Sequence, residues 1–276
     1  MIIRIQCSDR VGLVADVSGI LAKNGMNIES MREFVDKETG KFFLRITADK
    51  EPPDDELREQ LAKALPEKAA IDISRRTRDK KLVVLVTKEY HCLSDILTRN
   101  HFQTLGARVE AVIGNQPDLQ DICDRFNIPF MFITHEGKNK EAFEKELREK
   151  IQLYAFDYII LAKFMRILSD EFVAEYPYKI INIHHSFLPA FVGASPYRQA
   201  FERGVKLIGA TAHFVTSLLD EGPIIEQQIV RVNHTYTPKD MVVAGKEIET
   251  SVLAKAMSLV FEDRVFVSNN KTVVFD

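Results

Sequence analysis

Lys179-Ile180-Ile181-Asn182-Ile183-His184-His185-Ser186-Phe187-Leu188-Pro189 is the stretch from which the rest of the chain is read. Residues 179–184 are rich in β-branched side chains and lie between Pro177 and Pro189, so they read as a short buried strand with two polar side chains near its end. Strand residues alternate between faces, which puts Asn182 and His184 on one side. His185 is then expected to point away, in a structural or supporting place. Residues 187–196, with Pro189, Gly193 and Pro196, read as an apolar loop. In open α/β sheets, ligands gather at the carboxyl ends of the strands. A later turn, Leu219-Asp220-Glu221-Gly222-Pro223, adds an isolated carboxylate. An amide and a protonated imidazole donate to a developing oxyanion, and a carboxylate orients or deprotonates the attacking group, so the three suit acyl hydrolysis or transfer. Either polar strand residue alone is more simply a satisfied strand end; the set is not.

Outward from this strand, apolar runs at 82–87, 108–113, 129–133 and 158–161 alternate with helical patterns at 92–105, 118–126, 139–154 and 169–175. Strands at 208–215 and 223–232 and a helix over 238–261 follow. Several of these strands are apolar on both faces, as in a mainly parallel sheet covered by helices, which predicts a Rossmann-like α/β domain. After the first of them comes Thr87-Lys88-Glu89-Tyr90-His91-Cys92, without a glycine, so neither a dinucleotide-binding turn nor a phosphate loop is present.

The first part of the chain has another rhythm. A strand at 2–7, a helix at 12–23, strands at 27–35 and 41–47 around the polar turn 36–40, a helix at 53–65 and a strand at 70–74 give the order βαββαβ, a ferredoxin-like arrangement. Arg75-Arg76-Thr77-Arg78-Asp79-Lys80-Lys81 is basic and wholly polar and reads as a solvated joint rather than a nucleic-acid patch. The expected division is 1–77, a basic linker at 78–81, and 82–276.

With 276 residues, 46% hydrophobic and 28% charged, the chain can bury two cores, and a net charge of −3 gives no field for holding nucleic acid. Cys7, Cys92 and Cys123 are far apart and form no CxxC, which argues against a disulfide framework or structural zinc and fits a reducing cytoplasm. No signal-peptide pattern or membrane-length apolar run is present. His184 and His185 are adjacent rather than spaced for a metal on a helix, so no metal is expected.

Asn182-Ile183-His184, Ser186-Phe187-Leu188-Pro189, Gly209-Ala210-Thr211-Ala212-His213-Phe214-Val215 and Asp220-Glu221-Gly222-Pro223-Ile224-Ile225 resemble the formyltransferase family that uses 10-formyltetrahydrofolate. Asp9-Arg10-Val11-Gly12-Leu13-Val14-Ala15 with Asn24-Gly25-Met26-Asn27-Ile28 resembles an ACT domain, a module that often binds amino acids. In this order, and with Lys88-Glu89-Tyr90-His91-Cys92-Leu93 and the string 184–191, the chain is similar to the formyltetrahydrofolate deformylase family.

The resemblance implies a hydrolase of a linear amide C–N bond. It would turn 10-formyltetrahydrofolate and water into formate and tetrahydrofolate for one-carbon and purine metabolism, and need no cofactor. Asn182 and His184 would stabilise the oxyanion and Asp220 would activate water. Within Leu161-Ala162-Lys163-Phe164-Met165-Arg166-Ile167-Leu168, the residues Met165, Arg166, Ile167 and Leu168 would line the pterin pocket, Met165, Ile167 and Leu168 as apolar contacts or backbone partners, with His213 in support. The same segment also reads as a strand end and helix start, and His213 as a core histidine. Asp9, Gly12, Asn24, Gly25, Asn27 and Ile28 would form an amino-acid pocket at an ACT interface of a homo-oligomer, or serve oligomerisation alone. Two other functions compete: transfer of the formyl group to an amine such as glycinamide ribonucleotide, and folate binding by an inactive regulator. In transferases of that ribonucleotide a glycine-rich turn after the first strand holds the acceptor's phosphate, whereas here Glu89 and bulky neighbours stand in that turn. A formyltransferase acting on tRNA would be expected to carry a further C-terminal domain.

Overall fold

A computed structural model describes residues 1–50, 55–74, 80–189 and 196–276 of the chain. The expected helix start at 53–54, residues 75–79 of the basic joint and residues 190–195 of the apolar loop lie outside them. Two compact units are present: residues 1–77 with 263–266 and 273–276, and residues 78–262 with 267–272.

The first unit contains β1 (Ile2–Ser8), α1 (Leu13–Lys23), β2 (Ile28–Asp36), β3 (Lys41–Ala48), α2 (Asp55–Ala64) and β4 (Ala70–Ser74). Its sheet has the order β2-β3-β1-β4, and all neighbours are antiparallel. Leu13, Val17 and Leu21 recur every four residues on α1, so they form one stripe. They bury it with Leu57 and Leu61 against Ile3, Ile5, Leu44 and Ile46 of the sheet. Gly12 precedes α1 with φ 90 and Gly25 follows it with φ 63, backbone angles that cost a side chain dearly and glycine little. Residues 263–266 belong to this unit, not to a continuous stretch 82–276: the Phe266 ring packs edge-on against Phe43, and Asp263 pairs with Arg4 and accepts from the Ser74 hydroxyl.

The second unit runs β5 (Lys80–Val86), α3 (His91–His101), β6 (Ala107–Gly114), α4 (Gln120–Arg125), β7 (Phe130–Phe132), α5 (Lys140–Ile151), β8 (Tyr158–Leu161), α6 (Asp170–Ala174), β9 (Ile180–His184), α7 (Pro196–Arg203), β10 (Leu207–Phe214), β11 (Ile224–Arg231) and α8 (Pro238–Phe261). Seven strands lie in the order β11-β10-β9-β8-β5-β6-β7. The five from β9 to β7 are parallel, and β10 and β11 continue the sheet antiparallel. Leu82 to Val86 are buried without exception, as strands covered on both faces must be. Thr237 and Asp240 form a reciprocal capping box that fixes the start of α8, with Pro238 in its first turn.

Two features depart from the sequence expectation. Helix α7 begins where the loop was expected to end; among its described side chains only Tyr197 and Ala200 are buried, too few to make a readable apolar stripe. A hairpin of β12 (Val265–Ser268) and β13 (Lys271–Val274) closes the chain around Asn269-Asn270. Among the described residues, no helix is long and apolar enough to cross a membrane.

Candidate active site

Asn182 and His184 occupy alternate positions at the carboxyl end of β9, and β10 pairs beside them with His213 opposite Asn182 and Thr211 opposite His184. A bulge in β10 between Ala212 and His213 breaks the register with β11 next to the site, a common device for re-aiming a side chain. The Thr211 hydroxyl donates to Ser186 O at 2.9 Å and accepts from the Leu188 amide at 3.1 Å, which fixes the chain leaving the strand.

Asp220 reaches the same place from the connection between β10 and β11. Its backbone lies in the left-handed region, φ 57, tolerated by Asp better than by most residues. Two residues on, a Cβ at Gly222 would stand 1.8 Å from Phe214 O, so this turn closes only around glycine. Asp220 Oδ2 lies 3.2 Å from His184 Nδ1 and Oδ1 lies 3.6 Å from His213 Nε2. Asn182 Nδ2 is 3.3 Å from His213 Nε2, and His213 Nδ1–H donates to Phe214 O at 2.9 Å. Asn182, His184, His213 and Asp220 therefore form one cluster.

Its electrostatics are those of a fixed negative charge among donors. Burial alone would raise the Asp220 carboxyl, but hydrogen bonds from His184 and His213, and their charges, outweigh it and hold the group well below the usual carboxylate range. His184 Nε2 is buried and makes no hydrogen bond among the described residues. One imidazole nitrogen is thus anchored and the other is free to meet a reacting group.

His185 does not point away. Regular strand structure ends at His184, so alternation stops there, and the two imidazoles stack with centroids 5.0 Å apart and planes at 26°. Burial, then the charges of Lys163 and His184, push the His185 imidazole down to about 4, so it is neutral at neutral pH.

The segment 161–168 leaves β8 through two left-handed residues, Lys163 (φ 62) and Met165 (φ 55), and the Thr87 hydroxyl donates to Phe164 O. Met165 is 62% and Ile167 63% exposed, and Arg166 is exposed with its guanidinium 5.6 Å from the Phe143 ring. Leu168 is 8% exposed and packs in the core around Phe164 and Phe172. Only its backbone is left to meet a ligand.

The sequence did not reveal a cavity of about 370 Å³ beside His185, lined by His91, Lys163, Tyr197, Lys246 and Glu249 among others. Glu249, from the middle of α8, is its centre. The carboxylate accepts from His91 Nε2 at 2.7 Å and the Tyr197 hydroxyl at 2.5 Å, and lies 3.1 Å from Lys163 Nζ. Burial would raise this carboxyl, but those three partners take it down to about 2. Lys246 pairs with Glu89 at 2.7 Å. His91, Cys92 and Glu249 bring ligand-type atoms within 4.8 Å of one another, a cluster that the sequence spacing did not suggest. The Lys163 ammonium already on Glu249, and a Cys92 thiol kept protonated by burial and by Glu249, mark it as an internal ion network.

The residues expected to form an amino-acid pocket are not brought together within one copy of the first unit. Asp9 and Gly12 precede α1, whereas Asn24, Gly25, Asn27 and Ile28 follow its eleven residues, so the groups are separated by a helix roughly 16 Å long. Asn24 is engaged locally, donating to Ile20 O and Gln60 Oε1.

The formyl transferase family matches residues 80–257, and the ACT domain matches residues 1–66. Formyltetrahydrofolate deformylase of Haemophilus influenzae is 48% identical over 273 residues, covering 99% of this chain and 98% of the relative. The crystal structure of a formyltetrahydrofolate deformylase from Pseudomonas syringae superposes with a TM-score of 0.94 at 40% identity, covering all of this chain and 94% of that one. Glycinamide ribonucleotide transformylase 1 from Symbiobacterium toebii gives a TM-score of 0.69 at 30% identity over 74% of this chain and 98% of its own. The similarity to the deformylases thus runs through both units, and the chain belongs to the formyltetrahydrofolate deformylase family.

Proposed function

We propose that this protein hydrolyses 10-formyltetrahydrofolate to formate and tetrahydrofolate at the Asn182, His184 and Asp220 cluster. The observation that carries the reading is the His184 imidazole, held at Nδ1 by Asp220 while its buried Nε2 has no hydrogen-bond partner among the described residues. An imidazole that donates from both nitrogens is the charged form. With Asp220 accepting at Nδ1, His184 Nε2–H and the Asn182 amide hold the oxygen of the tetrahedral intermediate. The exposed Met165 and Ile167 offer an apolar wall for the pterin, with Arg166 beside them. Asp220 serves attack by water through His184: with a histidine facing each oxygen, and a carboxyl held so low, it is a weak proton acceptor itself. This chemistry takes the folate as substrate and calls for no cofactor or metal.

Coverage of the deformylase relatives from end to end favours water over an amine acceptor, since the transformylase matches only 74% of the chain. Three free, buried cysteines fit an enzyme of the reducing cytoplasm. For the ACT unit we retain a small-molecule effector, such as an amino acid, with a homo-oligomer: joining the residues at the two ends of α1 in one pocket requires a second copy. Formate release from 10-formyltetrahydrofolate, measured with and without glycinamide ribonucleotide and beside Asp220→Asn, tests the function. Release that needs no acceptor and is lost in the variant is the expected result. Turnover only with the acceptor would make the protein a transferase, and folate binding without turnover would make it a regulator.

A further inference from the structure

The second unit holds two carboxylate–histidine pairs of the same build. In one, Asp220 holds His184 Nδ1, and Nε2 has no hydrogen bond among the described residues. In the other, Glu249 Oε2 holds His91 Nε2 at 2.7 Å, and His91 Nδ1 is buried with no hydrogen bond among the described residues. The His91 side chain is 8% exposed and faces the cavity that His185 also lines, with the His185 ring stacked on that of catalytic His184.

A carboxylate only accepts, so an ionised Glu249 fixes the proton of neutral His91 on Nε2 and leaves a lone pair on Nδ1. His91 is also the first residue of α3, so its place is fixed by the start of that helix. Once Nδ1 takes a proton, the imidazolium lies between Glu249 and the Glu89 carboxylate, 4.0 Å from Nδ1. Lys163 on Glu249, and Lys246 and Lys88 in the cavity wall, oppose that charge; Tyr197, Cys92 and His185 add none. His91 Nδ1 is thus placed to take a proton and hold it between two carboxylates, as a general base requires.

We propose that this cavity is the chamber of the hydrolytic water and that His91, oriented by Glu249, takes its proton, directly or through one further water. The inference rests on the hydrolytic reading above and supplies an acceptor for the water proton outside the Asn182, His184 and Asp220 cluster. As the water oxygen bonds to the formyl carbon, its O–H bond breaks and the proton passes to His91 Nδ1, while the C=O electron pair moves to the oxygen held by Asn182 and His184. Collapse of the intermediate breaks the C–N bond. The electron pair goes to the folate nitrogen, the proton on His91 returns to that nitrogen, and the released formic acid ionises to solvent as formate.

The test is His91→Ala and His91→Asn in the full chain, with kcat and folate KM determined separately and imidazole and its methylated derivatives added to the alanine variant. We expect kcat to fall about a hundredfold or more with little change in KM, and rescue that strengthens with the basicity of the added imidazole. His91→Asn, which keeps a polar side chain but no base, should show the same loss and covers the case in which the alanine variant does not fold. Wild-type kcat in His91→Asn, or rescue equal for all imidazoles whatever their basicity, would overturn the proposal. Wild-type protein that releases no formate would instead overturn the hydrolytic reading beneath it.

Discussion

Gly245 lies directly beneath the Tyr197 ring: a Cβ at position 245 would stand 2.1 Å from the ring carbon Cζ and 2.5 Å from the phenolic oxygen. That close approach lets the hydroxyl reach Glu249, one turn further along α8, at 2.5 Å. Replacing a mid-helix glycine with alanine ordinarily stabilises by about 0.5–1 kcal/mol. Here it must displace Tyr197, so Gly245→Ala is expected to destabilise by roughly 1–3 kcal/mol in urea unfolding, as overpacking does. Tyr197→Phe should cost about 1–3 kcal/mol by taking a donor from a buried carboxylate, and the two changes together should cost less than their sum. A Gly245→Ala protein more stable than wild type would refute this account of the contact.

Gly222 has a similar place in the turn that delivers Asp220. Any side chain there drives a carbon to 1.8 Å from Phe214 O, so the turn must open and carry Asp220 away from His184 and His213. Gly222→Ala is expected to lower kcat on the order of a hundredfold through misplacement while folate KM changes little, because Met165 and Ile167 are untouched. Steady-state kinetics on both parameters decides it, and a variant with wild-type kcat would show that the turn tolerates the methyl group.

What the sequence showed and hid follows from how far apart the interacting residues are. Asn182 and His184 stood out because they interrupt an apolar strand, and α8 begins at Pro238 as expected because Thr237, Pro238 and Asp240 form a local start signal. His185 was misplaced because alternation holds only while the backbone stays extended, and the strand ends one residue before it. Whether Leu168 offers its side chain or its backbone was not legible, because nothing local distinguishes it from exposed Ile167. Glu249 went unnoticed because its partners His91, Lys163 and Tyr197 come from three distant segments. A readable signal did exist: Glu249 falls on the same face of α8 as buried Met241, Gly245, Ile248 and Val252, where a carboxylate without partners would be costly.

Removal of the Asn182 amide tests the oxyanion assignment. One donor of this kind contributes about 2.7–4 kcal/mol to the transition state, so Asn182→Ala should lower kcat by roughly 10² to 10³. Folate affinity should be nearly unchanged, because the interaction strengthens only as the oxygen becomes charged. A variant in which KM rises and kcat is kept would place Asn182 in binding rather than catalysis.

The buried His185 imidazole makes a prediction about stability. Its folded value of about 4 lies below the usual 6.5, so between these pH values the unfolded chain binds a proton that the folded chain refuses. Stability from this group is therefore unaffected above about pH 6.5 and falls as the pH drops towards 4, by up to about 3 kcal/mol. Asp220 and Glu249 have the depressed values of paired carboxylates, so their contribution persists through most of this window and is lost only below the unfolded carboxylate range near pH 4. Urea unfolding of wild type and His185→Phe, which keeps a ring against His184, should give curves whose difference grows as the pH falls from 6.5 to 4. The variant should lose less stability over that interval, and parallel curves would show that His185 is protonated in the folded protein as readily as in the unfolded chain.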